Sequence, residues 1–144
     1  MNYQDKANAD LKVAKLLVSP VGNPTHDEMI YDYAAYHLEQ AYEKELKYVL
    51  HDLLGVDDTS REFKTHNIAD LISQIEDAGY NMPEEIKEIS HDLTEWEAST
   101  RYNADITSDL VEIKSAISKY EILRNAVEDI ETDINAVASK LKNR

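Results

Sequence analysis

The chain is expected to fold as an all-α, up-and-down bundle of four or five helices with a long C-terminal helix, and three observations lead there. Apolar residues recur at the 3.6-residue spacing of a helix face through most of the chain. Only three glycines and three prolines occur among 144 residues, at 20 to 24, 55, 79 and 83, so turn chemistry is confined to a few short links. The stretch from Thr107 to Lys142 holds helical period with no breaker. A chain of this length fits one domain, residues 1–144, and is long enough to hide about two-thirds of its unfolded surface.

The first helix is predicted from near Gln4 to Val18, with Ala7, Leu11, Ala14, Leu17 and Val18 facing inward and Ser19-Pro20 stopping it. Thr25 with Glu28 three residues later forms a capping-box pattern. Pro24 and Met29 are placed to form a hydrophobic staple for the second helix, which runs on to about Leu54 and stops at Gly55. Within it, Ile30, Ala34, His37, Leu38, Ala41, Val49, Leu50 and Leu53 share an apolar stripe, placing His37 against a core or at the floor of a cleft. The remaining charged positions of this helix read as solvated.

A polar link, residues 56–64, leads to a third helix capped by Thr65 or Asn67, carrying Ile68, Leu71, Ile72 and Ile75 and ending at Gly79. Pro83 suits the first turn of a fourth helix, where its missing donor costs nothing, and Ile86, Ile89, Leu93 and Trp96 form its core face. The fifth helix carries Ile113, Ala116, Ile117, Tyr120, Leu123, Val127, Ile130, Ile134, Val137 and Leu141. At roughly 50 Å it outruns its partners, so Val137 and Leu141 must be covered by the first helix or by a second copy of the chain; a homodimer is expected.

With no cysteine, disulfides and thiolate metal sites are excluded, which fits a cytoplasmic protein. No apolar run is long enough to span a bilayer, and Met1-Asn2-Tyr3-Gln4-Asp5 lacks the layout of a signal peptide. A net charge of -14 argues against sequence-independent binding to nucleic acid or anionic membranes, while leaving room for a local basic pocket.

Ala34, Tyr36, His37, Gln40, Ala41, Glu43, Lys44 and Lys47, followed in order by Thr65-His66-Asn67-Ile68 with Leu71 and by Arg101-Tyr102, resemble the HEPN family of small helical domains. The ordered set carries the resemblance, over roughly residues 5 to 135; Asn103 departs from the proline common in the family after the arginine-tyrosine pair. The resemblance implies a bundle that binds a nucleotide or RNA-related ligand. It further implies a possible minimal nucleotidyltransferase partner in a toxin-antitoxin or defence module.

His37 reads either as a core ring satisfied by a neighbouring polar group or, through the resemblance, as part of a groove that Tyr36 also lines. Thr65, His66 and Asn67 stand at a helix N-terminus, where free amides favour an anion; the alternative is plain capping and packing. Arg101, followed by Tyr102, closes the fourth helix and can bond its last carbonyls or clamp a phosphate. The resemblance, not the spacing, implies that Tyr36, His37, Lys44, Thr65, His66, Arg101 and Tyr102 line one ligand groove.

Ribonuclease members of the family carry an arginine followed, after four to six residues, by a histidine. Arg124-Asn125 looks like the start of that motif, but Asp129, Ile130 and Glu131 stand where the histidine belongs. An acidic group there repels phosphate and does not replace an imidazole near neutral pH. Arg124 therefore reads as a surface residue. Arg61 and His66 satisfy the literal spacing at the wrong place and are the only catalytic candidates. Glu88-Ile89-Ser90-His91 is a single copy of a spacing that di-iron bundles use twice, so no metal site is predicted, and no cofactor is implied.

The residues thus point to a nucleotide or RNA-related ligand held without RNA cleavage. A ligand-free dimeric interaction module and a metal-independent ribonuclease toxin remain as alternatives, and enzymatic activity is left open.

Overall fold

The computed structural model describes residues 1–102 and 109–142, with the backbone alone for 97–102. The α-helices are α1 (Tyr3–Leu17), α2 (Glu28–Lys47), α3 (Ile68–Asp77), α4 (Glu84–Tyr102) and α5 (Leu110–Lys142). Each helix of the expected bundle is present. Asn103 and the expected start of the last helix at Thr107 lie outside the described residues.

The helix boundaries follow from side-chain caps. Asn2 and Asp5 form a reciprocal capping box that opens α1, at 2.8 and 3.1 Å. At α2 the expected Thr25/Glu28 box and Pro24/Met29 staple are replaced by another device. The buried Asn23 side chain accepts from the Asp27 amide at 2.9 Å and donates to the Asp27 carbonyl at 3.0 Å. That turn carries His26 in the left-handed region, at φ 54°, and delays the helix until Asp27 caps it through the Met29 amide at 2.9 Å. Glu28 is then the first helical residue, too early to close a box, and Pro24 and Met29 face solvent.

Asn67, not Thr65, caps α3 by accepting from Asp70, while Thr65 Oγ1 accepts from the Asn67 amide. Gly79 ends α3 at φ 102°, where the Gly79 and Tyr80 amides close back on Glu76 and Ile75 in a Schellman arrangement. Pro83 sits just before α4, its carbonyl accepting the first helical bonds from Ile86 and Lys87.

The expected second helix reaches Leu53, but its last stretch, Tyr48–Leu53, is wound as a π-helix. The wider winding turns His51 so that its Nδ1 meets the Val56 carbonyl at 2.8 Å and folds the following link back. That link is less polar inside than its composition suggests, because Phe63 is buried. Its ring lies edge-on to Tyr3 and under the Lys47 ammonium.

The core follows from the helical stripes. Helix α2 is central and packs against all four others. Leu38, Leu46 and Leu50 meet Ile68, Leu71 and Ile75 of α3, Ile86 and Leu93 of α4, and Ile113 and Leu123 of α5 in one buried cluster. Burying each such side chain contributes about 1.5–3 kcal/mol. Tyr42 and Tyr120 pack edge-to-face at 4.9 Å between α2 and α5.

Being central has a consequence that the charge pattern hides: Glu39, Glu43, Glu45 and Lys47 of α2 are buried rather than solvated. At the other extreme, the last turns of α5 leave the bundle, with Val137 50% and Leu141 62% exposed. Helix α1 does not cover them.

Candidate functional site

Polar chemistry concentrates along α2, at three carboxylates, two on α2 and one on α1. A buried carboxylate without partners is costly, so each has recruited donors from another part of the chain.

The most deeply placed is Glu45, whose side chain is fully buried. Its Oε1 accepts from the Tyr120 hydroxyl at 2.9 Å and from Arg124 Nη2 at 3.0 Å, and its Oε2 accepts from Gln4 Nε2 at 3.0 Å. Arg124 Nη2 also donates to Asn8 Oδ1 at 2.5 Å, so the network ties α1, α2 and α5 together. The guanidinium stacks over the Tyr120 ring at 5.4 Å. Burial opposes the Arg124 charge, but the Glu45 carboxylate and the Tyr120 hydroxyl outweigh it and hold the guanidinium protonated. Burial, reinforced by Glu45, drives the Tyr120 hydroxyl far above its ordinary titration range.

The second carboxylate, Asp10 of α1, bridges two expected site residues. Its Oδ1 meets His37 Nδ1 at 2.9 Å and its Oδ2 accepts from Lys44 Nζ at 2.6 Å. His37 is therefore half-buried at the α1/α2 seam, not in the core, with the Tyr36 ring edge-on at 5.5 Å.

The third is Glu43, which meets His66 Nδ1 at 2.9 Å and Lys47 Nζ at 3.5 Å. His66 is 52% exposed and Thr65 lies beside it, bonded within the α3 cap. Arg61 lines a shallow groove with Glu62, Thr65, Asp70, Ser73 and Gln74, and no hydrogen bond joins it to His66. The structure thus brings His37, Tyr36 and Lys44 together at Asp10, and seats His66 separately on Glu43. The side chains of Arg101 and Tyr102 lie outside the described residues.

A cavity of about 180 Å³ opens between α1 and α5, lined by Leu11, Lys15, Ile117, Tyr120, Glu121 and Arg124. It exposes the outer edge of the Arg124 network. Lys15 forms no ion pair among the described residues, and Arg124 Nε is buried without a hydrogen-bond partner.

A central helix with internal carboxylates, clasped by four others, defines a small helical domain with a polar seam along α1. The family model for the HEPN domain matches residues 2–130, and the chain belongs to that family. No curated protein and no solved structure gives a significant match.

Arg124 resembles the start of the family's ribonuclease motif, and no histidine stands among Asp129, Ile130 and Glu131 after it. Arg124 is not the surface residue that its mid-helix position suggests: its side chain is 28% exposed and committed to Glu45 and Asn8. After it, Asp129 points to solvent, Ile130 is core, and Glu131 accepts from the Tyr48 hydroxyl at 3.3 Å. His91 pairs with Glu95 at 3.3 Å on an exposed face of α4.

Sequence reasoning did not find Glu45, Asn8, Asp10 or Lys15. Glu45 left a signal, since it continues the line Ala34, Leu38, Ala41 at helical spacing and so falls on the buried stripe. Its partner Arg124 stands one turn beyond Tyr120, itself a stripe residue.

Proposed function

We propose that this HEPN domain holds a nucleotide or an RNA-related ligand and does not cut RNA. One observation carries the reading: Arg124 is tied to Glu45, and no histidine stands within reach of it on α5 to exchange protons with a ribose hydroxyl. General acid–base cleavage needs a group that changes protonation near neutral pH and lies in hydrogen-bond reach of the reacting oxygen. Asp129, Ile130 and Glu131 supply no imidazole there. Membership of the family supports the ligand class.

The expected groove residues enter this reading with different standing. Asp10 already bonds both His37 and Lys44, so a phosphate there competes with a carboxylate that Lys44 holds at 2.6 Å. His66 shares Glu43 with Lys47, and Thr65 is engaged in the α3 cap. Tyr36 is partly exposed beside His37, and Arg101 and Tyr102, whose side chains lie outside the described residues, enter the groove through the family resemblance alone. Saturable heat on titrating the protein with ATP, AMP or a short single-stranded RNA at low salt supports the reading. Absence of heat for all three contradicts it.

We further read residues 1–144 as one domain that pairs as a homodimer in the cytoplasm, with a minimal nucleotidyltransferase as partner in a toxin-antitoxin or defence module. Support for self-association is the overhang of α5, whose exposed Val137 and Leu141 lie about 10 and 16 Å along the axis beyond the last buried position, Ile130. Sedimentation of the wild type and of Val137→Glu/Leu141→Glu tests this. A dimer that the double variant dissociates agrees with it, and a monomeric wild type refutes it. No described helix is long and apolar enough to cross a membrane.

A further inference from the structure

We infer that the overhanging end of α5 is a docking arm for a second copy of the chain, in an antiparallel pair. Each arm seats Leu141 and Lys140 in a groove that the other copy holds between α5 and the turn before α4. The inference rests on the self-association proposed above and gives it a seat and a direction.

The arm lies beyond the matched domain. Ile130 is both the last buried position of α5 and the last residue of the family match, and the helix runs on to Lys142, about 18 Å further. Ile134, Val137 and Leu141 carry the apolar stripe onward at helical spacing, past the point where the bundle covers it.

At the root of the arm lies an open groove of about 580 Å³. Tyr80, Met82, Pro83 and Ile130 give it an apolar wall, and Asp129 and Asp133 of α5 give it an acidic rim. The Tyr80 hydroxyl donates to Asp133 Oδ2 at 3.0 Å and so fixes the turn against α5. The arm carries the complement of this groove. After Asp133 it has no acidic residue, and its tip presents the exposed Lys140, Leu141 and Lys142.

Direction follows from where the charges stand on α5. Asp133 and Lys140 come four and eleven residues after Asp129, which puts all three on one face of the helix, acids at the root and lysine at the tip. Such a face complements itself only when one copy is turned round; a parallel pair would set Lys140 against Lys140. Setting Val137 beside Ile134 of the second copy brings Leu141 level with its Ile130, and Lys140 between the levels of its Asp129 and Asp133. The arms then overlap along their free length with the two bundles at opposite ends. The contact is isologous, each copy giving one arm and one groove.

The test is sedimentation of the full chain at low salt as wild type, as Asp129→Lys, as Lys140→Glu and as an equimolar mixture of the two variants. Both positions are exposed, so neither change disturbs the core. The expected result is a wild-type dimer and a dissociation constant raised at least about tenfold in each variant alone, where like charges meet at both contacts. The mixture restores the dimer, because each arm then meets a groove of opposite charge. A wild-type dimer that both variants retain unchanged, or variants that the mixture does not restore, overturns this seat and leaves self-association standing. A monomeric wild type overturns both and leaves the arm to a different protein.

Discussion

Arg124 Nη2 lies 3.0 Å from Glu45 Oε1, joining the last helix to the central one across 79 residues of sequence. The carboxylate is wholly enclosed, so the pair is not a surface ion pair of marginal worth. Removing the cation strands a charge in the interior. Arg124→Leu is expected to destabilise the domain by about 3 kcal/mol or more, and Glu45→Leu/Arg124→Leu by less than the sum of the single changes. Urea denaturation of the three variants measures this, and strict additivity would refute the coupling.

Tyr42 and Tyr120 predict an alkaline limit. Burial raises both hydroxyls far above the ordinary value of 10.0. A raised folded value means stability that is fully present below about pH 10 and is lost as pH climbs past it, because the unfolded chain releases those protons first. Each tyrosine steepens the loss by about 1.4 kcal/mol per pH unit. Denaturation midpoints should hold nearly level from pH 8 to about 9.5 and fall steeply from about pH 10 upward, and Tyr120→Phe should flatten that fall. An unchanged slope in that variant contradicts the assignment.

Gly22 tests the turn between α1 and α2. A β-carbon there would stand 2.1 Å from the Leu16 carbonyl oxygen and 2.7 Å from its carbon, both backbone atoms that cannot swing aside. Gly22→Ala is expected to cost about 1–3 kcal/mol, as overpacking does. Gly79→Ala meets no atom within 4 Å and suffers only for its φ of 102°, about 1 kcal/mol. Urea midpoints rank the two, and an equal or reversed order would show that the turn yields.

The helical stripes were legible because apolar spacing is a local property: Leu38, Ile72, Leu93 and Val127 declare their faces from sequence alone. Gly79 was equally legible as a helix end, since few other residues tolerate its backbone. The polar seam was not. Whether Glu45 is solvated or buried depends on Tyr120 and Arg124, far away in the chain, and its charge masks its place on the stripe. Spacing alone leaves His37 open between a core and the floor of a cleft. It sits at the edge of a stripe whose neighbour, α1, presents Asp10 instead of an apolar residue. The cap of α2 was misplaced because Asn23, buried in the turn, sets where the helix begins, and nothing local to Thr25 reveals it.

The central claim, binding without cleavage, is met most directly by one incubation of a 5′-phosphorylated, labelled single-stranded RNA with the protein at low salt. The sample is divided between filter retention and a denaturing gel. Retained RNA that runs at full length, equally with wild type, Arg61→Ala and His66→Ala, is the predicted result. Shortened RNA with the wild type, restored to full length by His66→Ala, would contradict it and establish a ribonuclease.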